Sequence, residues 1–259
     1  IDGLNKINVL LVGRGKWSNN YALTIKSNSS CRLSSHTSAR KIIQIIKEDK
    51  DGLHNYLKKE AIDIIILSTQ PFIQRSILES LDDFHGQLIL EKPLFNRKED
   101  IAFYENLSNN LKNRIIVNHF HFFSQKFLDI LKNINDQKVD KLYIRDYGNG
   151  PFRNFISTLL DWGPHALGLC HYLNSEIEVI SVKKISNGNS HKWYIRLRGD
   201  RIKDIRILTG NGFTRKKRKL LFFTEKKDLY KFDIYEDLDT ESPMSILLRE
   251  STNRLLENL

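Results

Sequence analysis

The chain has 259 residues, of which 40% are hydrophobic and 28% charged, and its formal net charge is +10 at pH 7. This composition excludes a disordered chain and allows one large domain or two ordinary ones. No apolar run approaches the ~18 residues of a membrane span, and the first residues do not resemble a signal peptide. Cys31 and Cys170 lie far apart without metal-ligand spacing. We therefore expect buried thiols in a cytoplasmic protein that uses no metal and contacts no membrane.

The positive charge first suggests a nucleic-acid partner. However, isoleucine and asparagine are abundant together with lysine, as an AT-rich genome would produce. The one dense basic run, Arg215 to Lys219, lies between strand-like segments and has no interleaved aromatic residues for base stacking. A solvated turn, or attraction of an anionic substrate, explains it as well. We predict no nucleic-acid partner.

The chain opens with a strand, a glycine turn and a helix. The aliphatic stretch Ile7 to Val12 predicts a strand buried in a parallel sheet, and a helix can follow from Lys16 to Lys26. In such a unit the first glycine permits a tight turn, the second lets backbone approach a pyrophosphate, and the helix N–H groups bind it. Ser18 stands where a third glycine is expected, so an ordinary strand–turn–helix is the alternative. The predicted phosphate-binding residues are Gly13, Arg14, Gly15, Lys16 and Trp17.

A second strand, Cys31 to Ser35, leads to the position that faces the adenosine ribose in a dinucleotide fold. An acidic residue would accept hydrogen bonds from the 2′-hydroxyl of NAD there, but a hydroxyl and two cations occupy the region, namely Ser38, Arg40 and Lys41. These groups suit a 2′-phosphate. We predict NADP as cofactor, with NAD as the alternative. A surface helix start would also explain the three residues.

Helices and buried strands continue to alternate up to residue 118, which predicts βαβ units and a doubly wound parallel sheet of Rossmann type. The predicted helices cover residues 42–60, 73–84 and 97–109, and the strands cover 62–67, 87–90 and 114–117. Polar loops follow the third and fourth strands, at the sheet edge where ligands bind. Their predicted cofactor-binding residues are Ser68, Thr69, Gln70, Pro71, Glu91 and Lys92. We assign residues 1–118 to a dinucleotide-binding domain.

Beyond residue 118 the pattern changes to an α+β domain with an open, mostly antiparallel sheet, which we assign to residues 119–259. Alternating strands separated by turn signals follow one another between residues 176 and 236. Helices are predicted over 122–135 and within 155–173, and a last helix runs from Pro243 to Leu259. Since few helices cover this sheet, we expect a second copy of the chain to bury its other face, in a homodimer or tetramer.

Four motifs occur in a specific order: Gly13-x-Gly15, Ser68 to Pro71, Glu91-Lys92-Pro93, and Asp161-Trp-Gly-Pro-His165. The chain thereby resembles the glucose–fructose oxidoreductase/inositol dehydrogenase (Gfo/Idh/MocA) family over nearly its whole length. The resemblance implies a Rossmann domain, a second α/β domain with an open sheet, and NAD(P)-dependent oxidation or reduction of a sugar-like alcohol or carbonyl. It also implies that Lys92 lies beside the nicotinamide and the substrate, with Asp161 and His165 facing them from the second domain.

The residue chemistry agrees with these roles. Lys92 follows a parallel strand, and Pro93 biases it towards an extended backbone and is compatible with a cis bond between them. Its amine can stabilise negative charge on a reacting oxygen. Pro164 suits the first turn of a helix, which predicts Asp161 just before that helix and His165 just inside it. His165 can then act as general acid or base while Asp161 orients it or binds a substrate hydroxyl. Taken singly, Lys92 would be interpreted as a surface lysine, Asp161 as a helix cap and His165 as a core histidine.

The substrate is the least specified part of the prediction. Asn118-His-Phe-His121 replaces the tyrosine–arginine pattern more usual in the family. The candidate substrate-binding residues are Asn118, His119, Arg153, Asn154, Asp161 and His165. The predicted activity is hydride transfer between a nicotinamide cofactor and a sugar or nucleotide-sugar in surface-polysaccharide synthesis. Reduction of a non-sugar carbonyl or imine, and a non-catalytic dinucleotide-binding regulatory or scaffold protein, are the alternatives.

Overall fold

The computed structural model describes residues 6–119, 124–135, 137–233, 249–250 and 252–256. These residues form two compact units that divide after Asn118. The C-terminal residues 249–250 and 252–256 group with the first unit, which differs from the predicted second domain of 119–259. The reason is packing, because Leu255 and Leu256 are buried and Asn253 accepts a hydrogen bond from Asn28 of the first unit.

The predicted Rossmann-type sheet is confirmed in the first unit. Five parallel strands of its described residues lie in the order β2-β1-β3-β4-β5. The chain moves outward from β1 to β2 and then returns to the other side of β1 as β3, so the strand order reverses between β1 and β3. The loops that follow these two strands diverge and leave the crevice in which such sheets bind ligands. The strands are Ile7–Val12, Cys31–Thr37, Ile64–Leu67, Gln87–Leu90 and Ile115–Val117.

Helices cover this sheet, and their apolar faces form its core with the strands. Strand residues such as Leu10 and Ile65 pack with helix residues such as Leu53 and Ile77. The helices α1 to α6 are Lys16–Ser27, Ala39–Glu48, Gly52–Lys59, Pro71–Leu78, Lys98–Asn106 and Asn109–Lys112.

The single helix predicted over 42–60 is wrong, because α2 and α3 are separate. The Asp49 carboxylate accepts a hydrogen bond from the Asp51 N–H, 3.0 Å away, and this local turn ends α2. The chain then reverses at Gly52, where a Cβ would lie 3.1 Å from the Ile45 carbonyl oxygen. The helix predicted over 97–109 also divides, since Ser108 caps the short helix α6. The helix predicted over 73–84 ends at Leu78.

The open, mostly antiparallel sheet is confirmed in the second unit. Its described residues form six strands in the order β11-β10-β6-β9-β8-β7, and all neighbours are antiparallel except β6 and β9. Alternating side chains such as Ile144, Ile207 and Phe222 are buried on one face. The strands β6 to β11 are Val139–Tyr147, Ile177–Asn187, Ser190–Gly199, Asp204–Gly210, Lys217–Thr224 and Leu229–Asp233.

Three helices, α7 (Gln125–Asn135), α8 (Thr158–Trp162) and α9 (Pro164–Leu173), belong to the described part of this unit. Phe127 of α7 packs edge-on against Phe232 of β11, with ring centroids 5.8 Å apart. The predicted start of α7 at residues 122–123 lies outside the described residues, as do residues 243–248, 251 and 257–259 of the predicted last helix.

Both cysteines are buried, unbonded thiols, which confirms that prediction. Burial raises the pKa of Cys170 to about 12, so its thiol stays protonated at neutral pH. A search of the described ranges finds no helix with the length and apolar character needed to cross a membrane.

Candidate functional site

The turn after β1 depends on a glycine. Gly13 has a φ of +139°, and a Cβ at this position would lie 2.4 Å from the Ser68 carbonyl oxygen. The Gly13 N–H donates to the Thr37 carbonyl, 2.8 Å away. Gly13 therefore lets the ends of β1, β2 and β3 meet, which no residue with a side chain would permit without strain.

Ser18 explains how the turn tolerates the departure from the glycine fingerprint. Its side chain is buried, and its hydroxyl donates to the Gly13 carbonyl oxygen at 3.0 Å. The same oxygen lies 2.8 Å from Nε2 of His36, near the end of β2. Ser18 is small enough to let α1 approach the strand and also fixes the turn by a hydrogen bond. Sequence reasoning missed His36, whose only signal was its place at the end of the second strand.

The start of α1 fits a diphosphate. Its first turn has no acidic residue, and Arg14 and Lys16 are exposed beside it. Apart from Gly15 itself and its two chain neighbours, no described residue has an atom within 4 Å of the position that a Cβ would take there, so the backbone is approachable. The positive end of the helix dipole and the N–H groups of the first helical turn favour an anion at such a position. Trp17, which was also predicted to bind the cofactor, donates its indole N–H to Glu91 Oε1 at 3.0 Å.

The second candidate anion position is the start of α2. Ser38 is its N-cap, and its hydroxyl accepts from the Lys41 N–H at 3.3 Å. Arg40 and Lys41 are exposed in the first turn, which has no acidic residue. Cations at a helix N-terminus oppose the helix dipole, so an anion bound there would relieve the repulsion. The alternative interpretation of these three residues was a surface helix start. They do form one, and the Ser38 hydroxyl caps it.

The loops after β3 and β4 are held together by Gln74 of α4. This buried amide donates to the carbonyl oxygens of Thr69, at 3.0 Å, and of Glu91, at 2.8 Å. Pro71 is the first residue of α4, as a loop running straight into a helix requires. Lys92 is half-buried directly after β4, and the peptide bond between Lys92 and Pro93 is cis. Gln74 thus fixes the strand end that carries Lys92.

Glu91 is the centre of a buried polar network. Its carboxylate accepts hydrogen bonds from the Tyr21 hydroxyl and the Trp17 indole, and Asn118 donates its amide to the Tyr21 oxygen. Burial raises the pKa of Glu91, although the hydrogen bonds from Tyr21 and Trp17 and the charge of Lys92 oppose the shift. Burial and the neighbouring carboxylate also raise the pKa of Tyr21. Sequence reasoning missed Tyr21, since it lies 70 positions from Glu91.

Glu91 and Asn118, which were predicted to bind ligands, are therefore hydrogen-bonded to another side chain of the first unit. Glu91 is 8% exposed and ties β4 to α1. Asn118 is 1% exposed, with its amide on Tyr21 within the same network. The structure places both in the interior of the first unit, where they join the strand end that carries Lys92 to α1.

In the second unit, His165 meets His119. The two Nδ1 atoms are 3.1 Å apart, and the rings are nearly perpendicular, with an interplanar angle of 78°. His165 is 4% exposed and lies in the first turn of α9, as predicted. His119 was predicted to bind substrate, whereas its neighbour here is the predicted catalytic histidine.

Asp161 lies just before α9, as predicted, and is itself part of the short preceding helix α8. Ser157 caps this short helix by accepting a hydrogen bond from the Leu160 N–H at 3.2 Å, and Gly163 separates α8 from α9. The Asp161 carboxylate forms an ion pair with Arg153, 2.5 Å away, and its side chain is 13% exposed. Arg153, predicted to bind substrate, thus holds Asp161. Asn154 is exposed in the same loop.

The predicted site residues are therefore divided between the units. Lys92 and the residues predicted to bind the cofactor belong to the first unit, and His119, Arg153, Asn154, Asp161 and His165 to the second. Among the described residues, no group of three or more His, Cys, Asp or Glu side chains is arranged to hold a metal ion.

A parallel sheet with a glycine turn at its reversal point, followed by an open and mostly antiparallel sheet, is the two-domain fold of Gfo/Idh/MocA-type dehydrogenases. The fold expected from the motif resemblance is thereby confirmed. No family model matches the chain, and no curated protein matches its sequence.

The chain is similar in structure to several solved proteins. Myo-inositol dehydrogenase from Corynebacterium glutamicum superposes with a TM-score of 0.76 at 12% identity, over 98% of this chain and 88% of that one. A probable dehydrogenase from Thermotoga maritima has a TM-score of 0.75 at 12% identity, over 97% of this chain and 88% of its own. GenD2 from gentamicin A biosynthesis, solved in complex with NAD, has a TM-score of 0.69 at 12% identity, over 92% and 75%.

Replacing Glu91 tests the buried network. In Glu91→Ala the Tyr21 hydroxyl and the Trp17 indole lose their acceptor, which should lower the free energy of unfolding by about 2–4 kcal/mol. Glu91→Gln keeps an acceptor oxygen and removes the titrating carboxyl. Urea unfolding followed by circular dichroism measures both variants.

The raised pKa of Glu91 adds a pH dependence. Its contribution to stability is fully present below the unfolded-state pKa of about 4.3 and is lost as pH rises through the higher folded-state value. Glu91→Gln should therefore gain stability relative to the wild type as the pH rises above about 4.3. A difference between the two proteins that does not change with pH would contradict the raised pKa.

Proposed function

We propose that this chain is an NAD(P)-dependent oxidoreductase that transfers a hydride between the nicotinamide and the carbinol or carbonyl carbon of a sugar or nucleotide-sugar. The observation that carries the proposal is the edge of the first sheet. The glycine turn after β1, the loop after β3 and Lys92 after β4 all follow the carboxyl ends of parallel strands. Ligands bind at this edge in open α/β sheets, where the strand order reverses.

The cofactor would be held by groups of the first unit. Gly13 and Gly15 bring the backbone and the start of α1 to the diphosphate, and Arg40 and Lys41 supply positive charge for a 2′-phosphate. When bound, the nicotinamide supplies the carbon that gives or takes the hydride. NADP is our preferred cofactor because no acidic residue occurs in the first turn of α2. The complex of GenD2 with NAD supports a nicotinamide dinucleotide in general.

The substrate class is supported by similar proteins and by charge. A structural neighbour is a myo-inositol dehydrogenase, and its name implies a ring that carries several hydroxyl groups. The chain carries a formal charge of +10, which favours an acidic or nucleotide-linked sugar over a neutral one.

We assign the chemical roles as follows. The Lys92 ammonium stabilises the negative charge that develops on the reacting oxygen during hydride transfer. His165 takes the hydroxyl proton in oxidation and returns it in reduction. The Asp161 carboxylate accepts a hydrogen bond from a substrate hydroxyl, while the Arg153 guanidinium balances its charge.

Removing either reacting group should abolish most of the turnover. Lys92→Ala and His165→Ala should each lower kcat by at least ~10²-fold, because each removes a group that acts in the transition state. The Kd of NADPH should change little in His165→Ala. The assay is a fluorescence screen of sugars and nucleotide-sugars with both reduced and oxidised cofactors, and Lys47→Ala, an exposed lysine of α2, is the matched control. Unchanged turnover in both variants would indicate a dinucleotide-binding protein that does not use these residues.

Arg40 tests the cofactor preference. We expect NADPH to bind more tightly than NADH, and Arg40→Ala to weaken NADPH selectively by about 10- to 100-fold, since it removes one charge-assisted contact. Titration of cofactor fluorescence gives both dissociation constants. Arg32→Ala, an exposed arginine of β2, should leave them unchanged. An equal loss for both cofactors would refute a role at the 2′-phosphate.

We also propose that the chain forms a homo-oligomer through the second sheet. The edge strand β7 exposes apolar side chains, including Val179 at 62%, Val182 at 51% and Ile185 at 43%. Apolar residues clustered on an edge strand are usually covered in a stable protein.

Light scattering at micromolar concentration should give a dimer or tetramer. Val182→Asp should shift the oligomeric state towards monomer, whereas Leu23→Asp, which changes an exposed leucine of α1, should leave it unchanged. A wild-type monomer would exclude the proposal.

A further inference from the structure

The contact between His119 and His165 constrains where protons sit on both rings. A neutral imidazole carries one N–H, on Nδ1 or on Nε2. With the two Nδ1 atoms 3.1 Å apart, one must carry a proton and the other must be bare. In the neutral pair the donor ring therefore has a bare Nε2, and the acceptor ring has an Nε2–H. Two imidazolium rings would bring two N–H groups together at this contact, so the pair holds at most one positive charge.

Packing against α9 fixes the second ring of the pair. Gly168 follows His165 by three residues and so lies on the same face of the helix. A Cβ at Gly168 would lie 2.9 Å from Cε1 and 3.0 Å from Nε2 of His119. The His119 ring thus rests on the helix backbone one turn beyond His165, where a glycine leaves room for it. The perpendicular rings exclude stacking, and the contact is made through the nitrogen atoms.

We propose that His119 is a positioning residue for His165: through the Nδ1 contact it sets the tautomer and orientation of His165, so that Nε2 of His165 exchanges the substrate proton. This inference rests on the proposed oxidoreductase function. In alcohol oxidation, His165 begins with its proton on Nδ1, donated to His119. Its Nε2 takes the hydroxyl proton, and the resulting imidazolium keeps its Nδ1–H on His119. In carbonyl reduction, the Nε2 proton goes to the substrate oxygen and the ring returns to neutral.

Three substitutions at position 119 separate positioning from other roles. His119→Asn places an amide near the position of Nδ1 and can still donate to or accept from His165. His119→Gln places its amide farther out, near the position of Nε2, and His119→Phe keeps a ring without nitrogen. We expect Asn to retain kcat within a few-fold, and Gln and Phe to lower it by about 10- to 100-fold, with KM and the cofactor Kd unchanged. His171→Asn, at an exposed histidine of the same helix, is the control.

The opposite pattern would overturn the inference. If KM rises while kcat is unchanged, His119 binds substrate directly, as the sequence analysis predicted. If Asn, Gln and Phe all retain the wild-type kcat, His165 does not need the contact. Thermal unfolding of each variant separates a loss of folding from a loss of positioning, and Asn and Gln differ by only one methylene.

A measurement without turnover distinguishes this inference from the proposed function. The nitrogen chemical shifts of imidazole identify the tautomer of each histidine in the free protein. We expect opposite tautomers for His119 and His165, and a changed His165 spectrum in His119→Phe but not in His119→Asn. If the free protein shows this pairing but no substrate is turned over, the function is wrong and the pairing stands. If turnover is found but the two rings have the same tautomer, the positioning role is wrong.

Discussion

The close approach of Gly13 to the Ser68 carbonyl is the constraint on which the first unit depends. A Cβ at Gly13 would lie 2.4 Å from that carbonyl oxygen, so any side chain at this position would separate the ends of β1 and β3. The crevice between these strands would then lose its shape, together with the start of α1. Ser18 and His36 bond the Gly13 carbonyl oxygen from two other elements, so the turn is held from the helix as well as from β2. A fingerprint that lacks one glycine is thus completed by hydrogen bonds.

Buried polar groups do the remaining positioning. Gln74 joins the loops after β3 and β4, and Glu91 joins the end of β4 to α1. Burying a carboxylate is unfavourable unless its oxygens are bonded, which is why Tyr21 and Trp17 both direct donors at Glu91. These hydrogen bonds form only when β4, α1 and α4 lie next to one another, and they therefore help to specify where the strand end and Lys92 lie.

Paired polar groups also position the elements of the second unit. Alternation along β6, β9 and β10 gives one buried face, and the buried ion pair between Asp146 and Arg218 lies on it, with atoms 2.8 Å apart. The helices α8 and α9 then present two polar pairs, Asp161 with Arg153 and His165 with His119. Each pair joins a residue of these helices to one from a preceding loop. The chemistry of the second unit is therefore decided by contacts between neighbouring segments, rather than by any one motif.

The sequence by itself determined the two sheets, their order along the chain and the loops that carry the motifs. Apolar periodicity is a local property, so Ile7–Val12 and Ile64–Leu67 indicate strands without knowledge of their neighbours. Local signals also placed Lys92 after a strand and His165 at a helix start, whereas the roles of both residues were implied by the motif resemblance. Helix boundaries were less well determined, since the Asp49 turn and the Ser157 cap compete with patterns that continue across them.

Only the tertiary structure decided which distant residues meet. Tyr21 and Glu91 are 70 positions apart, and His119 and His165 are 46 apart, so no spacing in the sequence connects them. Strand order brings such residues together, and it depends on the packing of all the strands and helices at once. The C-terminal residues likewise group with the first unit, where Asn253 accepts a hydrogen bond from Asn28. The local pattern determines whether a segment forms a helix or a strand. Which other segment it packs against is determined by the burial of apolar surface over the whole chain.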